Sequence, residues 1–177
     1  MQLRRDKCVF FFPNDCYTYD VMGTGTVLLS YMTRAENWET TMTTPLEVAR
    51  EVLASQPFSM MLGTELTHFE MDNTELRLEM KDEFKQQNGF AHGGIISYLA
   101  DNALTFAGGR ALGERVLTSE YKINYVKPGR GKVLIARASV ISASTRQAVC
   151  RCDVFAVHAG KETLCATAQG TIVVFGS

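Results

Sequence analysis

Residues 88–109, with the sequence NGFAHGGIISYLADNALTFAGG, decide the fold and suggest the chemistry. A short polar loop leads into His92-Gly93-Gly94, and the glycines are predicted to open a long apolar helix. Adjacent glycines at a helix start let a ligand approach bare backbone N–H groups, where the helix dipole favours negative charge. One carboxylate, Asp101, lies within the helix, and it is costly to bury there unless it has a function. The stretch therefore pairs a predicted oxyanion donor with a potential base or nucleophile.

The composition is typical of a globular protein and excludes several classes of partner. The 177 residues are enough for one domain with a real core, with 46% hydrophobic and 21% charged residues. A net charge of −1 gives no reason to expect a nucleic-acid partner. No apolar run is long enough to span a membrane, and the one that follows Lys7 stops at Pro13, too early for a signal peptide. We therefore expect a cytoplasmic protein that binds neither nucleic acid nor membrane.

The five cysteines are expected to be reduced thiols. Their number is odd and their spacing shows no disulfide framework, as is usual in the cytosol. Cys150 and Cys152 lie two apart in a strand-like run, so they should share one face and pack inside. No second pair of cysteines or histidines completes a metal site, and we expect neither a metal nor a cofactor.

The first 41 residues differ from the rest because they show no periodicity of a helix or a strand. Thr44 as an N-cap and Pro45 as the first helical residue then predict a helix start. We expect the working domain to be residues 42–177. Residues 1–41 are interpreted as an extension upstream of the true start, with a poorly ordered tail or an added strand as the alternatives.

Periodicity predicts an α+β fold in which about six antiparallel strands wrap one long buried helix. An amphipathic helix is predicted over residues 45–56 and is ended by Pro57, followed by a short apolar segment at residues 58–62. The long helix is predicted over residues 94–111. The strands are predicted at residues 64–71, 74–80, 116–126, 132–144, 147–157 and 163–175.

Four segments of the chain stand out together: His92-Gly93-Gly94, Leu99-Ala100-Asp101, and the runs NYVKPG at residues 124–129 and ATAQGT at residues 166–171. In these segments and in the order of its elements the chain resembles a known family, the hotdog-fold thioesterases of the PaaI type. The resemblance covers roughly residues 45–175. It implies a hotdog fold and the hydrolysis of acyl- or aryl-CoA thioesters to free acid and CoA. It also implies a homotetramer, built as a dimer of dimers, with each active site between two subunits.

The resemblance assigns roles residue by residue. The backbone N–H of Gly93 would polarise the thioester carbonyl, and Asp101 would attack the carbonyl carbon or activate a water. Ser119, contributed by the other subunit, matches a hydroxyl residue at the start of the strand after the helix, with Thr118 beside it. Thr105, one turn after the acid, matches a threonine that some members use.

Further residues are expected to border the substrate. Gln86 matches a polar position six residues before the histidine, and either Gln87 or Asn88 is an alternative for the same contact. His92 precedes the helix beside Gly94, and its ring is expected to bond the backbone of the turn rather than to act as a base. Four cations, Lys122, Lys127, Arg130 and Lys132, are equally open to contact with CoA phosphates or to a solvated rim.

Two other functions remain open. A non-catalytic acyl-CoA-binding protein, acting as a sensor or scaffold, would need the pocket but not the acid, so the presence of Asp101 favours the enzyme. A hydratase or dehydratase of the same fold would need an Asp–His pair in another arrangement, which His92 before the helix fits poorly. A Ser-His-Asp triad is disfavoured because no Gly-x-Ser-x-Gly elbow occurs.

Overall fold

The computed structural model describes residues 44–176 together with the backbone of four strands that precede them. Those strands form an antiparallel sheet in which each strand pairs with the next one along the chain. The chain divides into two compact units, Met1–Val48 and Ala49–Ser177, and the working domain expected at residues 42–177 stays a prediction. That residues 1–41 precede the true start stays a prediction. The four strands are β1 (Cys8–Phe12), β2 (Asp15–Val21), β3 (Val27–Tyr31) and β4 (Thr40–Thr43).

The predicted helix start at Thr44 is confirmed. Helix α1 is Pro45–Ala54, and the Thr44 hydroxyl accepts a 3.2 Å hydrogen bond from the Glu47 N–H while the Glu47 carboxylate accepts one of 2.6 Å from the Thr44 N–H. These two bonds form a capping box, which satisfies two backbone donors that a helix start otherwise leaves free.

The prediction that Pro57 ends this helix was wrong. Helix α1 stops at Ala54, and Pro57 instead begins a second helix, α2 (Pro57–Leu62), which contains the short apolar segment expected at residues 58–62. The fixed φ of proline and its missing N–H are both compatible with the first position of a helix, so proline marks a start as readily as an end. Gly63, at φ 79°, closes α2 in the left-handed conformation.

The second unit contains the predicted six-stranded antiparallel sheet and one long helix. The strands are β5 (Thr64–Phe69), β6 (Thr74–Glu79), β7 (Val116–Tyr125), β8 (Val133–Ala143), β9 (Gln147–His158) and β10 (Lys161–Val174). Their order in the sheet is β5-β6-β8-β9-β10-β7, so β5 and β7 are the edges. A 3-10 turn at Asp82–Phe84 precedes the long helix, α3 (Gly93–Leu112).

Helix α3 lies against the sheet through small side chains. Cys150 and Cys152 are both fully buried on the inward face of β9, as expected, among inward-facing alanines of the neighbouring strands. Small side chains let the helix approach the strands closely, and a Cβ on Gly108 would lie only 2.5 Å from the Ile172 Cβ. The opposite side of α3, which includes Tyr98, remains half-buried.

Candidate active site

The loop before α3 is fixed by backbone hydrogen bonds on both sides. The His92 N–H donates to the Phe84 carbonyl at 2.8 Å, and the Ala91 N–H donates to the Gly129 carbonyl at 2.8 Å. Within the loop, the Gln86 N–H donates to the Phe90 carbonyl at 2.9 Å. The start of α3 is therefore tied both to the 3-10 turn and to the Pro128-Gly129 segment after β7.

His92 is the N-cap of α3. Its backbone is extended (φ −62°, ψ 137°), and its ring Nδ1 accepts a 2.9 Å hydrogen bond from the Gly94 N–H. The predicted contact between this ring and the turn backbone is therefore present. Because Nδ1 is an acceptor here, that nitrogen is unprotonated in this arrangement.

Gly93 has the one N–H of the first helical turn that is without an acceptor among the residues that the structure describes. The Gly94 N–H is bonded to the His92 ring, and those of Ile95 and Ile96 donate to the His92 carbonyl at 3.0 and 3.3 Å. Backbone N–H groups at a helix start are ready donors for an anionic oxygen. The geometry thus leaves the predicted oxyanion donor available.

A cleft of about 450 Å³ lies beside this glycine. That volume is within the range of small-molecule sites. Gln86 and Lys127 are among its polar lining residues, whereas Gln87 and Asn88 are exposed outside it, so of the three amides it is Gln86 that borders the cleft. The lining consists of Gln86, Phe90, Ala91, Gly93, Ile96, Tyr125, Val126, Lys127, Pro128 and Gly129.

Gln86 and Arg130, at or near the cleft, each contact a neighbouring residue of the loop. The Gln86 side-chain oxygen accepts a 2.7 Å hydrogen bond from the Asn88 N–H, which leaves its amide nitrogen for other contacts. The guanidinium of Arg130 lies 4.7 Å from the centre of the Phe90 ring. Lys122 and Lys132 are both exposed, and neither lines the cleft.

A stripe of small and polar residues runs along α3 at every fourth position, and three of its four members are bonded to β7. Tyr125 donates to the Gly93 carbonyl at 3.0 Å, and the hydroxyls of Ser97 and Tyr121 are 2.5 Å apart. At the far end the Thr105 hydroxyl is 2.8 Å from that of Thr118.

Asp101, the remaining member of this α3 stripe, is different. Its Oδ1 atom is buried and has no hydrogen-bond partner among the described residues. Buried polar atoms are nearly always paired, and the exceptions require an explanation such as a missing ligand or a catalytic role. Thr105 does not serve as a side-chain partner, because its hydroxyl donates to the Asp101 backbone carbonyl at 2.9 Å.

Ser119 is exposed and lies on β7, so it is not a member of the α3 stripe. It falls where the pairing of β7 with β10 shifts register, between Glu120, opposite Thr171, and Thr118, opposite Ile172. An extra residue of this kind is a β-bulge, and bulges occur often beside active sites, where they redirect side chains. Among the described residues of one chain, no hydrogen bond joins the side chains of Ser119 and Asp101.

Gly93 and Asp101 are also too far apart to act on one carbonyl within one chain. They are eight residues apart on the same helix, which corresponds to about 12 Å along its axis. A reacting carbonyl has to lie about 3 Å from both its donor and its nucleophile. A single chain therefore presents the two groups at separate places.

On the other side of α3 a polar cluster fastens α2. The Tyr98 hydroxyl is 2.8 Å from those of Ser59 and Thr64, and the Asn102 amide lies 3.3 Å from Tyr98 and from the Gln56 side-chain oxygen. These groups satisfy one another. Among the apolar residues of α2 and α3, Leu62 and Phe106 are buried, and Met60 and Met61 are exposed.

The sequence-based reasoning missed Ser97, Tyr121 and Tyr125 as residues of this region. The available signal was the four-residue spacing of Gly93, Ser97 and Asp101, which places them on one helix face. The two tyrosines could not be assigned in this way, because their helix partners depend on how β7 lies against α3.

Comparison with known proteins identifies the family. The model of the thioesterase superfamily matches residues 88–164. A Saccharolobus solfataricus protein that has been named as a candidate esterase is 30% identical over 128 residues, which are 71% of this chain and 82% of that protein. The chain belongs to the thioesterase superfamily. Its sequence and fold are therefore those of a thioester hydrolase.

Solved structures agree with this family. A thioesterase family protein from Silicibacter pomeroyi is 30% identical, has a TM-score of 0.68, and matches 72% of this thioesterase and 96% of its own chain. The phenylacetic acid degradation protein PaaI from Thermus thermophilus, solved as a point mutant, is 30% identical with a TM-score of 0.59, over 68% of this chain and all of its own. The predicted hotdog fold of the PaaI type is confirmed.

Neither a helix that could span a membrane nor a metal-binding cluster occurs among the described residues. None of their helices is both long and apolar enough to cross a membrane. Within the same part of the chain, no three His, Cys, Asp or Glu side chains form a group that could hold a metal ion.

Proposed function

We propose that this thioesterase hydrolyses acyl-CoA or aryl-CoA thioesters to the free acid and CoA. The observation that best supports the proposal is the Gly93 N–H, the one donor in the first turn of α3 without an acceptor among the described residues, beside a cleft of about 450 Å³. Lys127 lines the cleft and Arg130 lies next to it, and cations are suited to the phosphates of CoA.

In the proposed reaction, the thioester oxygen binds at the Gly93 N–H. Negative charge develops on that oxygen when the carbonyl carbon becomes tetrahedral, and both the N–H and the helix dipole stabilise it. The side-chain nitrogen of Gln86, which borders the same cleft, provides the polar contact to the substrate.

The carboxylate in this site comes from a second subunit. Gly93 and Asp101 of one chain are about 12 Å apart along α3, so a thioester held at Gly93 is attacked by Asp101 of the partner subunit. The thioesterase is accordingly a homo-oligomer, a dimer of dimers in the manner of its family, with active sites between subunits.

Asp101 acts in one of two ways. As a nucleophile it forms a mixed anhydride while the C–S bond breaks, and water then hydrolyses the anhydride. As a general base it takes a proton from a water that attacks the carbonyl carbon, and the sulfur leaves as a thiolate. In this proposal Ser119 or Thr105 orients that water, and Thr118 borders the substrate.

The first test is thiol release from phenylacetyl-, benzoyl-, hexanoyl- and palmitoyl-CoA, followed with a thiol-reactive dye. We expect the wild type to release CoA and Asp101→Asn to lose at least about a hundredfold in kcat while still binding substrate. Binding of CoA thioesters by both proteins without release by either would instead favour the sensor or scaffold function.

The oxyanion role is tested with Gly93→Pro. Proline removes the N–H and is favoured at the first position of a helix. The residue before a proline has to be extended, and the His92 backbone already is. We expect a loss of roughly 100- to 1000-fold in kcat, the usual cost of removing one such donor. Gly93→Ala is the matched control, since it keeps the N–H and its methyl would only touch Tyr125, at 3.5 Å. An equal loss in both variants would contradict the role.

The shared site is tested by mixing Asp101→Asn subunits with Gly93→Pro subunits under conditions that allow exchange. A mixed pair of subunits has one site with both groups intact, so random exchange should restore roughly a quarter of wild-type activity. No recovery, with subunit exchange verified by mass spectrometry, would place each site within one chain.

A further inference from the structure

The peptide group between Gly93 and Gly94 is held by a side chain at each end. Its N–H, from Gly94, donates to the His92 ring at 2.9 Å. Its C=O, from Gly93, accepts a 3.0 Å hydrogen bond from the Tyr125 hydroxyl. These two bonds come from separate elements, one from the N-cap residue itself and the other from the end of β7.

We propose that Tyr125 is a positioning residue of the reaction. Together with His92 it clamps the Gly93–Gly94 peptide, and the clamp keeps the neighbouring Gly93 N–H directed into the cleft. The inference rests on the proposed function, in which that N–H binds the thioester oxygen.

A clamp is needed because the donor lies on the most flexible backbone in the site. Glycine has more conformational freedom than any other residue, and two occur in succession here, in a turn with no preceding helical bonds. Hydrogen bonds prefer angles above about 150° and weaken steeply below about 120°. A modest rotation about the Gly93 backbone would therefore cost most of the stabilisation of the developing charge.

Tyr125 is itself held from both sides. It is paired with Ala166 in the register of β7 with β10, and the N–H groups of the next two residues, Val126 and Lys127, both donate to the Cys165 carbonyl, at 2.9 and 3.3 Å. Its ring atoms lie 3.5–3.6 Å from the position that a Cβ on Gly93 would take. The strand therefore determines where the hydroxyl lies.

Burial alone does not account for a tyrosine at this position. Tyr125 is 53% exposed, so its ring gains only part of the free energy that a buried aromatic contributes. Its hydroxyl instead makes one specific contact, the hydrogen bond to the Gly93 carbonyl at the edge of the cleft. A phenylalanine would keep the ring contacts and lose only the bond to Gly93.

The kinetic test is Tyr125→Phe. We expect kcat for the best substrate of the panel to fall about tenfold, KM to stay within about twofold and the melting temperature to stay unchanged, because the substrate contacts remain and only the donor's orientation is lost. Tyr121→Phe is the matched control: it removes a hydroxyl bonded to Ser97 of the same helix, without touching the clamped peptide.

A second readout does not depend on activity. In protein labelled with ¹⁵N-glycine, which has 14 glycine positions, the Gly93 signal is assigned by its loss in Gly93→Ala. We expect Tyr125→Phe to shift or broaden the Gly93 and Gly94 amide signals and Tyr121→Phe to leave them unmoved. His92→Ala should perturb the same two signals, and His92→Asn, which restores an N-cap acceptor, should reverse the effect.

Wild-type kcat in Tyr125→Phe, or unchanged Gly93 and Gly94 signals, would overturn the inference. If the wild type hydrolyses no thioester in the panel, the proposed function fails. The amide signals still decide whether the clamp exists, so the two failures are distinguishable.

Discussion

Gly108 of α3 lies against Ile172 of β10 so closely that a methyl group on the glycine would come within 2.5–2.6 Å of three atoms of the isoleucine side chain. We expect Gly108→Ala to lower the free energy of unfolding by about 1–3 kcal/mol, the usual cost of overpacking a core. Urea unfolding measures this change. Gly93→Ala, on the same helix but with an open contact of 3.5 Å, should leave the urea midpoint unchanged or raise it. Equal losses in the two variants would contradict the packing argument.

Asp101→Asn should stabilise the fold while it abolishes activity. The Oδ1 atom of Asp101 is buried without a partner among the described residues, so replacing the charge by an isosteric amide relieves an uncompensated cost. We expect a gain of about 0.5–2 kcal/mol, as is common when a strained functional group is removed. Thermal unfolding is the measurement.

Asn102→Asp provides the matched control for this stability effect. The Asn102 amide nitrogen lies 3.3 Å from the oxygens of Gln56, Ser59 and Tyr98, where a carboxylate would meet a carbonyl acceptor. We expect this variant to melt at a lower temperature than the wild type. A lower melting temperature for Asp101→Asn as well would show that its carboxylate has a structural role.

Stability should fall in acid because of a carboxylate network on the outer face of the sheet. Arg137 bonds Glu75 at 2.7 Å and Glu162 at 2.6 and 2.8 Å. Burial raises the pKa of Glu75, but the Thr67 hydroxyl, Arg137 and His68 together outweigh it and lower that pKa below 4.5. The hydrogen bond and charge of Arg137 likewise lower the pKa of Glu162.

The direction of this pH dependence follows from the lowered pKa values of Glu75 and Glu162. Each carboxylate contributes its full stability above its ordinary pKa of 4.5, and the contribution is lost as the pH falls through the lower folded-state pKa. We expect Glu75→Gln to be less stable than the wild type at neutral pH and to converge with it in acid. Urea midpoints measured from neutral pH to below about pH 4 test this, and parallel curves would contradict it.

The three thiols on β9 and β10 should resist labelling in the native protein. Cys150, Cys152 and Cys165 are fully buried, and burial raises the pKa of Cys150 and Cys165 to about 11 and that of Cys152 further. The thiolate is the reactive form of cysteine. In a variant with Cys8→Ser and Cys16→Ser, we expect no reaction with a thiol dye until denaturant is added. Rapid native labelling would show that the core opens.

The fold was largely predictable from periodicity, because its helix and strands bury one consistent face. Leu76 and Leu78 alternate with polar residues on β6 and have no exposed surface. The same alternation puts Glu75 on the polar face of β6, yet Glu75 is only 9% exposed, because Arg137 and Thr67 pair with it there. Periodicity locates faces but does not identify cross-strand partners.

The candidate site was predictable only in part. Gly93 and Asp101 could be singled out because a glycine pair at a helix start and a carboxylate in an apolar helix are locally unusual. The hydrogen bond from Tyr125 to Gly93 joins residues 32 positions apart, and it exists only because β7 lies along α3. The separation of Gly93 from Asp101 follows from the helical rise alone. That the Gly93 N–H has no acceptor among the described residues could be seen only from the hydrogen bonds of the whole first turn.

The close packing of α3 on small side chains also determines where substrate selectivity can arise. Leu99, Ala103 and Ala107 on the sheet side have no exposed surface, so the packing between helix and sheet is closed to solvent at these positions. Phe58 and Met61, on the short helix α2, are more than half exposed. Under the proposed function, we therefore expect the side chains that select an acyl group to be exposed residues rather than core residues. Exposed residues can be exchanged at little cost to folding, so substrate preference could change while the core stays the same.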